Sequence, residues 1–424
     1  MYGGITIIYI AISLFFCTVL FDYKNIISFK NYFLFYIFIL FVVGSSFFYK
    51  GETLNNLRID FIIYSFSFII GYYFYFILPK RKIKRKILIP EESLKLKLKL
   101  EKIILCFIIT VYFFKIFTIL KVGFINFYSG KLLVESISMY GKENVAATLM
   151  KIISVIIDTS LTALIIYYIA ICIHLKFKIK TSYLVLIYVL FPLISLSRSG
   201  FIFGLLFVLF VNFLIKGNVS FAKIIIFIIL IIFIGTFFGV IRENRIKDVQ
   251  TNYFDNFGRK IVGMVSGELS PIIAYNEIKE NIELLDYKYG KTILLPLIFK
   301  PIPRSIWPKK PYNSSGYYMF KLHPDYANKG FFIAPSIFGD IFLNFGYLGC
   351  IIFTFTFGIL ISYFDSKLIK LIGDNITYMK IGFLLVLFLS FYGLLRNNLP
   401  ESLFSIFSVY IVFYLIDRVK YFKW

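Results

Sequence analysis

The chain has 424 residues, 59% of them hydrophobic and 21% aromatic, with 46 Lys+Arg against 23 Asp+Glu for a net charge of +23. A soluble domain is about 45–50% apolar, so this excess excludes an ordinary water-soluble enzyme and points to the bilayer. The basic stretches carry no interleaved aromatics on which bases would stack, which argues against nucleic acid; in a membrane chain such charge fixes orientation or meets anionic lipid and phosphate.

Apolar runs of the length that crosses hydrocarbon predict about eleven spans, near 5–21, 31–49, 60–78, 102–120, 149–173, 183–197, 199–215, 222–241, 338–363, 378–395 and 400–416. The expected fold is all-α, a polytopic helical membrane protein. The first run, "MYGGITIIYIAISLFFCTVLF", lacks a cationic leader and a small-residue cleavage site and reads as a retained span. Cys17, Cys106, Cys172 and Cys350 fall inside apolar runs without CxxC spacing, as small buried hydrophobes do. After the third span, "KRKIKRKILIPEESLKLKLKLEK" is the most basic segment and is expected on the cytoplasmic side. Counting spans from there puts the N-terminus outside and the C-terminus inside.

The chain therefore divides into residues 1–241 with eight spans, a large extracytoplasmic loop 242–337, and 338–424 with three more spans. The loop carries 14 Lys+Arg against nine Asp+Glu. Long translocated loops escape the orientation rule, so these cations need another explanation. Within it, "SPIIAYNEIKENIELLDYKYG" offers Ser270 as N-cap and Pro271 at the first helical position. Tyr275, Ile278, Ile282 and Leu285 follow at helical spacing, with Gly290 closing the segment. This predicts an amphipathic helix along the membrane surface. "TILLPLIF" is too short to span; it dips into the interface or packs on the bundle. "KPIPRSIWPKKP" at 300–311 then forms a stiff cationic strap, because its prolines cannot continue a helix, with Trp307 suited to the headgroup level.

Arg304, Lys309 and Lys310 of the strap, with Arg242 and Arg245 in "VIRENRIKD", make a set that would hold a membrane-bound pyrophosphate, since arginine forks bind phosphate oxygens in pairs. The plainer reading is that outer cations only touch lipid headgroups. Arg198 in "ISLSRSGFIFG" sits between two apolar runs, where an arginine costs about 2.5–3.5 kcal/mol to insert and faces a polar cavity or a partner; the alternative is a turn residue that snorkels. Two histidines are present. His174 near the inner end of span five reads as structural. His323 in "MFKLHPDYANKG" is a candidate proton acceptor, equally a loop residue without a role, and Asp325, Glu268 and Asp340 compete with it as bases. Asp158 pairs with Lys151 or Lys115 as a structural option. No Walker loop, HExxH, GxSxG or metal-ligand spacing occurs, so chemistry is expected outside, without nucleotide, metal or other cofactor.

The strap, the "SRSG" hairpin and "GDIFLNFGYLGCIIFTFTFGILI" together resemble the bacterial O-antigen and capsule repeat-unit polymerases of the Wzy type. The paired R-x10-G loop pattern of some members is not matched: its glycine position after Arg304 holds Ser315, with Gly316 one place later. The resemblance implies a GT-C-like polymerase/ligase architecture and glycosyl transfer at the outer face of a bacterial inner (cytoplasmic) membrane. In that scheme a glycan on undecaprenyl pyrophosphate moves onto a fresh lipid-linked repeat unit. It implies Arg198, Arg304 and Arg242 on the pyrophosphate and His323 as base. Arg245, Lys309 and Lys310 fall to acceptor lipid or glycan, Trp307 and Asp340 to substrate contact, and Tyr312, Tyr317 and Tyr318 to sugar stacking. Expected partners are the lipid-linked oligosaccharides, membrane lipids and a chain-length regulator. An O-antigen ligase acting on lipid A core shares this plan. A lipid-linked oligosaccharide flippase is the rival from another class, although a transporter should show internal repeats.

Overall fold

The computed structural model describes residues 28–77, 162–170, 211, 267, 269–302, 304, 306–328, 332–373 and 378–419. Arg198, Arg242, Arg245, Glu268, Asp158 and His174 lie outside these residues, as do the expected spans one, four, six and eight, most of the expected spans five and seven, and residues 121–148.

Every element among the described residues is helical. In chain order they are α1 (Phe29–Ile37), a π-helical stretch (Phe38–Gly44), α2 (Ser45–Phe48) and α3 (Gly51–Ile77). A helical segment at 162–170, α4, follows. Then come α5 (Pro271–Glu280), α6 (Ile282–Leu285), α7 (Lys291–Phe299), α8 (Ser314–Leu322), α9 (Pro324–Asn328), α10 (Ser336–Gly373), α11 (Tyr378–Arg396) and α12 (Leu399–Val419). Among the described residues three stretches are long and apolar enough to cross a membrane, Phe29–Phe48, Gly51–Ile77 and Ser336–Lys367, and Leu399–Leu415 is a shorter apolar helix.

Helix ends differ from hydropathy ends for a simple reason. α3 starts at Gly51, nine residues before the expected span, because "ETLNNLRID" is too polar for hydrocarbon yet contains no helix breaker. α10 is two helices joined at Gly346, whose φ of 65° is left-handed. A Cβ there would stand 3.1 Å from the Tyr287 ring, so glycine serves both the turn and the close approach.

α3 and α10 pack backbone to backbone. A Cβ on Gly71 would lie 2.0 Å from the Phe355 carbonyl oxygen, and one on Gly358 2.2 Å from that of Phe68. Small residues allow such contact between apolar helices, where lipid offers no hydrophobic incentive to associate. An aromatic core fills the space between α1, α3, α5 and α10: Phe33 meets Phe68 at 4.2 Å, while Phe338 stacks on Tyr64 at 5.3 Å and meets Phe41 edge-on at 5.1 Å.

The bundle has two distinct ends. At one, Asp365 of α10 accepts the backbone N–H groups of Phe29 and Lys30 at 2.8 and 3.1 Å and the Tyr72 hydroxyl at 3.2 Å. The carboxylate thus caps the positive N-terminus of a helix 335 residues away in sequence. At the other lie the starts of α3, α10 and α12, together with the whole of α5–α9.

The amphipathic segment after Ser270 departs from expectation in two ways. It is broken at Asn281 (φ −110°, ψ 26°) into α5 and α6. Its apolar residues Tyr275, Ile278 and Leu285 are also fully buried in protein rather than turned to lipid. Ser270 occupies the N-cap position, but its hydroxyl donates to the Gly267 carbonyl instead of accepting a helix N–H. "TILLPLIF" packs on the bundle as α7, burying Thr292, Ile293 and Pro296.

Candidate active site

The described residues between 300 and 311 form turns and irregular backbone that Arg304 ties together. Its guanidinium donates to the Lys310 carbonyl at 2.8 Å and to those of Pro308 and Pro311 at 3.4 Å. It also lies 4.1 Å from the centre of the Tyr312 ring. A planar fork with five N–H groups suits this task and still has donors left. Lys310 adds a second clasp, its ammonium donating to the carbonyls of Lys300 at 3.2 Å and Ile302 at 2.9 Å. Trp307 packs edge-on against Phe299 at 5.0 Å, tying the strap to the end of α7. Lys309 and Ile306 are exposed.

Lys300, Arg304 and Lys310 are therefore held together by neutral carbonyls. Glu401, 3.6 Å from the Lys300 ammonium, is the one carboxylate in ion-pair contact with them among the described residues. Burial, followed by the charges of Arg304 and Lys300, lowers the Lys310 pKa. Such a cluster is a fixed positive field that one carboxylate, at Lys300, only partly offsets, the arrangement an anion completes.

Aromatic contacts lead away from the strap along α8. Tyr312 meets Phe320 at 4.7 Å, and Phe320 meets Phe332 at 5.7 Å. Tyr317 packs under the Lys288 ammonium, 4.3 Å away, and its hydroxyl donates to the Leu285 carbonyl. Tyr318 is fully buried; of the three tyrosines considered for sugar stacking, Tyr312 is the exposed one. His323 caps the far end of α8, and its Nε2 stands 3.1 Å from Glu277 Oε2 on α5. Asp325 is exposed on α9. A helix of α8's length separates strap and histidine by about 13 Å along its axis.

The socket under the strap is polar and buried. Asp340 has no exposed surface; its carboxylate accepts the Leu399 N–H at the start of α12, with the Ser314 side chain beside it. One turn on, Asn344 accepts the Gly290 N–H at 2.9 Å and donates to Thr292 Oγ1 and the Asp340 carbonyl, both at 2.7 Å. Thr292 and Ser314 share a hydrogen bond of 3.0 Å. The Asn398 side chain accepts the Ser315 N–H at 3.3 Å. The "GDIFLNFG" stretch is thus the dock that seats α7 and α8 on α10 and α12. Asp340 is enclosed by that dock rather than presented to a substrate.

A second buried cluster lies beyond sequence reasoning. Asp60 of α3, 2% exposed, accepts from Lys279 at 2.7 Å and from the Tyr275 hydroxyl at 3.0 Å, and that hydroxyl shares a 2.8 Å hydrogen bond with Tyr64. Burial, with Tyr64 and Asp60 beside it, holds the Tyr275 pKa well above the usual tyrosine range. The one sequence signal for this cluster was a lone aspartate at the start of an apolar run.

Against known families, the description O-antigen polysaccharide polymerase Wzy matches residues 1–418. The chain belongs to the O-antigen polymerase Wzy family. Two curated relatives, the O-antigen polymerases of Salmonella typhimurium and Salmonella typhi, are each 29% identical over 136 residues. That alignment covers 30% of this chain and 31% of each relative, so it spans less than a third of the proteins it matches. No solved structure matches. As a Wzy-family chain with several apolar helices of membrane-crossing length, the molecule is a multi-pass membrane protein.

Proposed function

We propose that this protein polymerises undecaprenyl-pyrophosphate-linked oligosaccharide repeat units into O-antigen or capsular polysaccharide at the outer face of the inner membrane. The reading extends family membership to a reaction. The observation that carries it is the knot of Lys300, Arg304 and Lys310, pinned by backbone carbonyls and short of carboxylates.

In the proposed step an acceptor hydroxyl oxygen attacks the anomeric carbon of the donor chain. The bond from that carbon to the diphosphate oxygen breaks, and the polyprenyl diphosphate leaves with the electron pair. The hydroxyl proton passes to His323 and from there to solvent. Diphosphate is a good leaving group, so no carboxylic acid need protonate it as in glycosidases. Fixed positive charge where negative charge grows supplies the larger stabilisation, and one base completes the set. Arg304 and the strap lysines hold the diphosphate, with Arg198, Arg242 and Arg245 assigned to the same task and Tyr312 to sugar contact. Ile306, exposed beside Trp307, is assigned to the lipid tail. The eleven-span plan with loop 242–337 outside, the GT-C-like architecture, independence from metal and nucleotide, and a chain-length-regulating partner belong to the same proposal.

The test uses purified protein and lipid-linked repeat units extracted from a polymerase-deleted host strain, with no nucleotide added. A ladder of longer glycans that vanishes in Arg304→Ala supports the reading. Glycan appearing only on added lipid A core would make it a ligase, and substrate crossing a liposome membrane without lengthening would make it a flippase.

A further inference from the structure

His323 is held more firmly than a loop histidine needs to be. Its backbone N–H donates to the Met319 carbonyl at 2.8 Å and its own carbonyl accepts the Ala327 N–H at 3.0 Å, so the residue is fixed between α8 and α9. The ring is fixed separately, by Glu277 from α5, 46 residues earlier in the chain. The two side chains are 36% and 28% exposed, open to solvent on one side and backed by protein on the other.

A carboxylate only accepts hydrogen bonds, so in the neutral imidazole the 3.1 Å contact puts the hydrogen on Nε2 and the lone pair on Nδ1. Nδ1 makes no hydrogen bond among the described residues. We propose that Glu277 is a positioning residue for His323: it selects the Nε2–H tautomer, turns Nδ1 toward the acceptor hydroxyl, and stabilises the imidazolium formed when Nδ1 takes that proton. The inference rests on His323 being the base of the proposed reaction. The logic is that of a base oriented by a third group.

The charges around the ring are few. Glu277 faces it from α5 and the Tyr326 ring from α9, 6.4 Å away centre to centre. Behind Glu277 stand Tyr49 and the buried Tyr318. The Tyr49 hydroxyl is pushed up to about 12, first by burial and then by Glu277, with a smaller contribution from Glu280, and Tyr318 is raised by burial and Glu277. Both phenols are thus neutral near neutral pH, and among the described residues Glu277 is the carboxylate in contact with the imidazole. Lys321 and Asp325, its sequence neighbours, are exposed.

Glu277→Gln keeps an acceptor for Nε2–H and removes the charge. The carboxylate stabilises the imidazolium that forms during the step, so its loss slows proton uptake by Nδ1. In the ladder assay, with initial rates followed against substrate concentration on the full-length protein, Glu277→Gln is expected to be roughly tenfold or more slower in kcat, with KM and melting temperature unchanged. His323→Ala is expected to be inactive with an unchanged melting temperature. Glu277→Gln rates identical to wild type beside an inactive His323→Ala overturn the role of Glu277 and leave His323 as base. A slower Glu277→Gln whose loss lies in a raised KM or a lowered melting temperature assigns Glu277 a structural role and also overturns it. Wild-type rates in His323→Ala, or no ladder from the wild type, defeat the underlying reading as well.

Discussion

Asp60 and Lys279 meet at 2.7 Å across 219 residues of chain, one on the apolar helix α3 and the other on α5. The pair is asymmetric: the aspartate side chain is 2% exposed and the lysine 27%. Removing the lysine strands a buried carboxylate, whereas removing the aspartate lets the lysine swing to solvent. Lys279→Ala is therefore expected to cost about 2–4 kcal/mol and Asp60→Asn about 1–2 kcal/mol. Thermal unfolding in detergent measures both, and equal losses would count against the argument.

Asp340 makes the same kind of tie between α10 and α12. Its carboxylate accepts the Leu399 N–H, which would otherwise be one of the unsatisfied donors at a helix start. Asp340→Asn retains an oxygen for that donor, while Asp340→Ala retains none. The alanine variant is expected to melt lower by about 1–3 kcal/mol of stability and the asparagine variant by less than half of that. If both keep wild-type stability and both lose polymerisation, Asp340 acts on substrate instead.

What could be read in advance follows from the range of each interaction. The runs that became Phe29–Phe48, Gly51–Ile77 and Ser336–Lys367 were legible because hydrocarbon thickness imposes a length on any apolar run, and the α5 start because Pro271 marks a first helical turn by itself. Asp60–Lys279, Asp340–Leu399 and Glu277–His323 join polar groups, one of them a backbone N–H, far apart in sequence, and no periodicity predicts a partner. The break at Asn281 was hidden because Tyr275, Ile278, Ile282 and Leu285 keep helical spacing through it. Gly346 read as part of a span because its φ leaves no trace in hydropathy. Arg304 was recognised as a cation, yet its three carbonyl partners within the strap depend on a turn geometry that proline spacing alone does not fix.

That strap geometry gives arginine an advantage over lysine. Arg304 spans the carbonyls of Lys310 and Pro311 with separate nitrogens while lying over the Tyr312 ring. An ammonium is a point donor and cannot hold that span. Arg304→Lys is expected to abolish most ladder formation and to expose residues 300–311 to limited proteolysis, with the melting temperature of the bundle unchanged. A lysine variant with a protected strap and full activity would show that charge alone suffices.

The contact between α3 and α10 tolerates no side chain at two positions. A Cβ at Gly71 or Gly358 meets backbone oxygen at 2.0 or 2.2 Å, and backbone cannot swing aside as a side chain would. Gly71→Ala and Gly358→Ala are each expected to destabilise by about 1–3 kcal/mol through forced separation of the helices. The double variant should fall short of the sum, because one displacement relieves both clashes. Full additivity in the melting data would mean that the sites yield independently.

Lys310 provides a pH readout of the cationic knot. Its pKa is lowered by burial, then by Arg304 and Lys300. A lysine depressed in the folded state disfavours that state while charged, so strap stability rises as pH climbs through the lowered folded value toward the ordinary 10.5. Acetylation of Lys310 followed by peptide mapping should therefore reach half-reaction below the pH of an ordinary lysine. Lys300→Gln removes one repelling charge and leaves the Arg304 clasp intact, which moves the half-point upward. Inorganic pyrophosphate bound by the knot moves it upward too, because the anion favours the ammonium form. A half-point indifferent to both Lys300→Gln and pyrophosphate would mean that the three cations neither feel one another nor share a ligand.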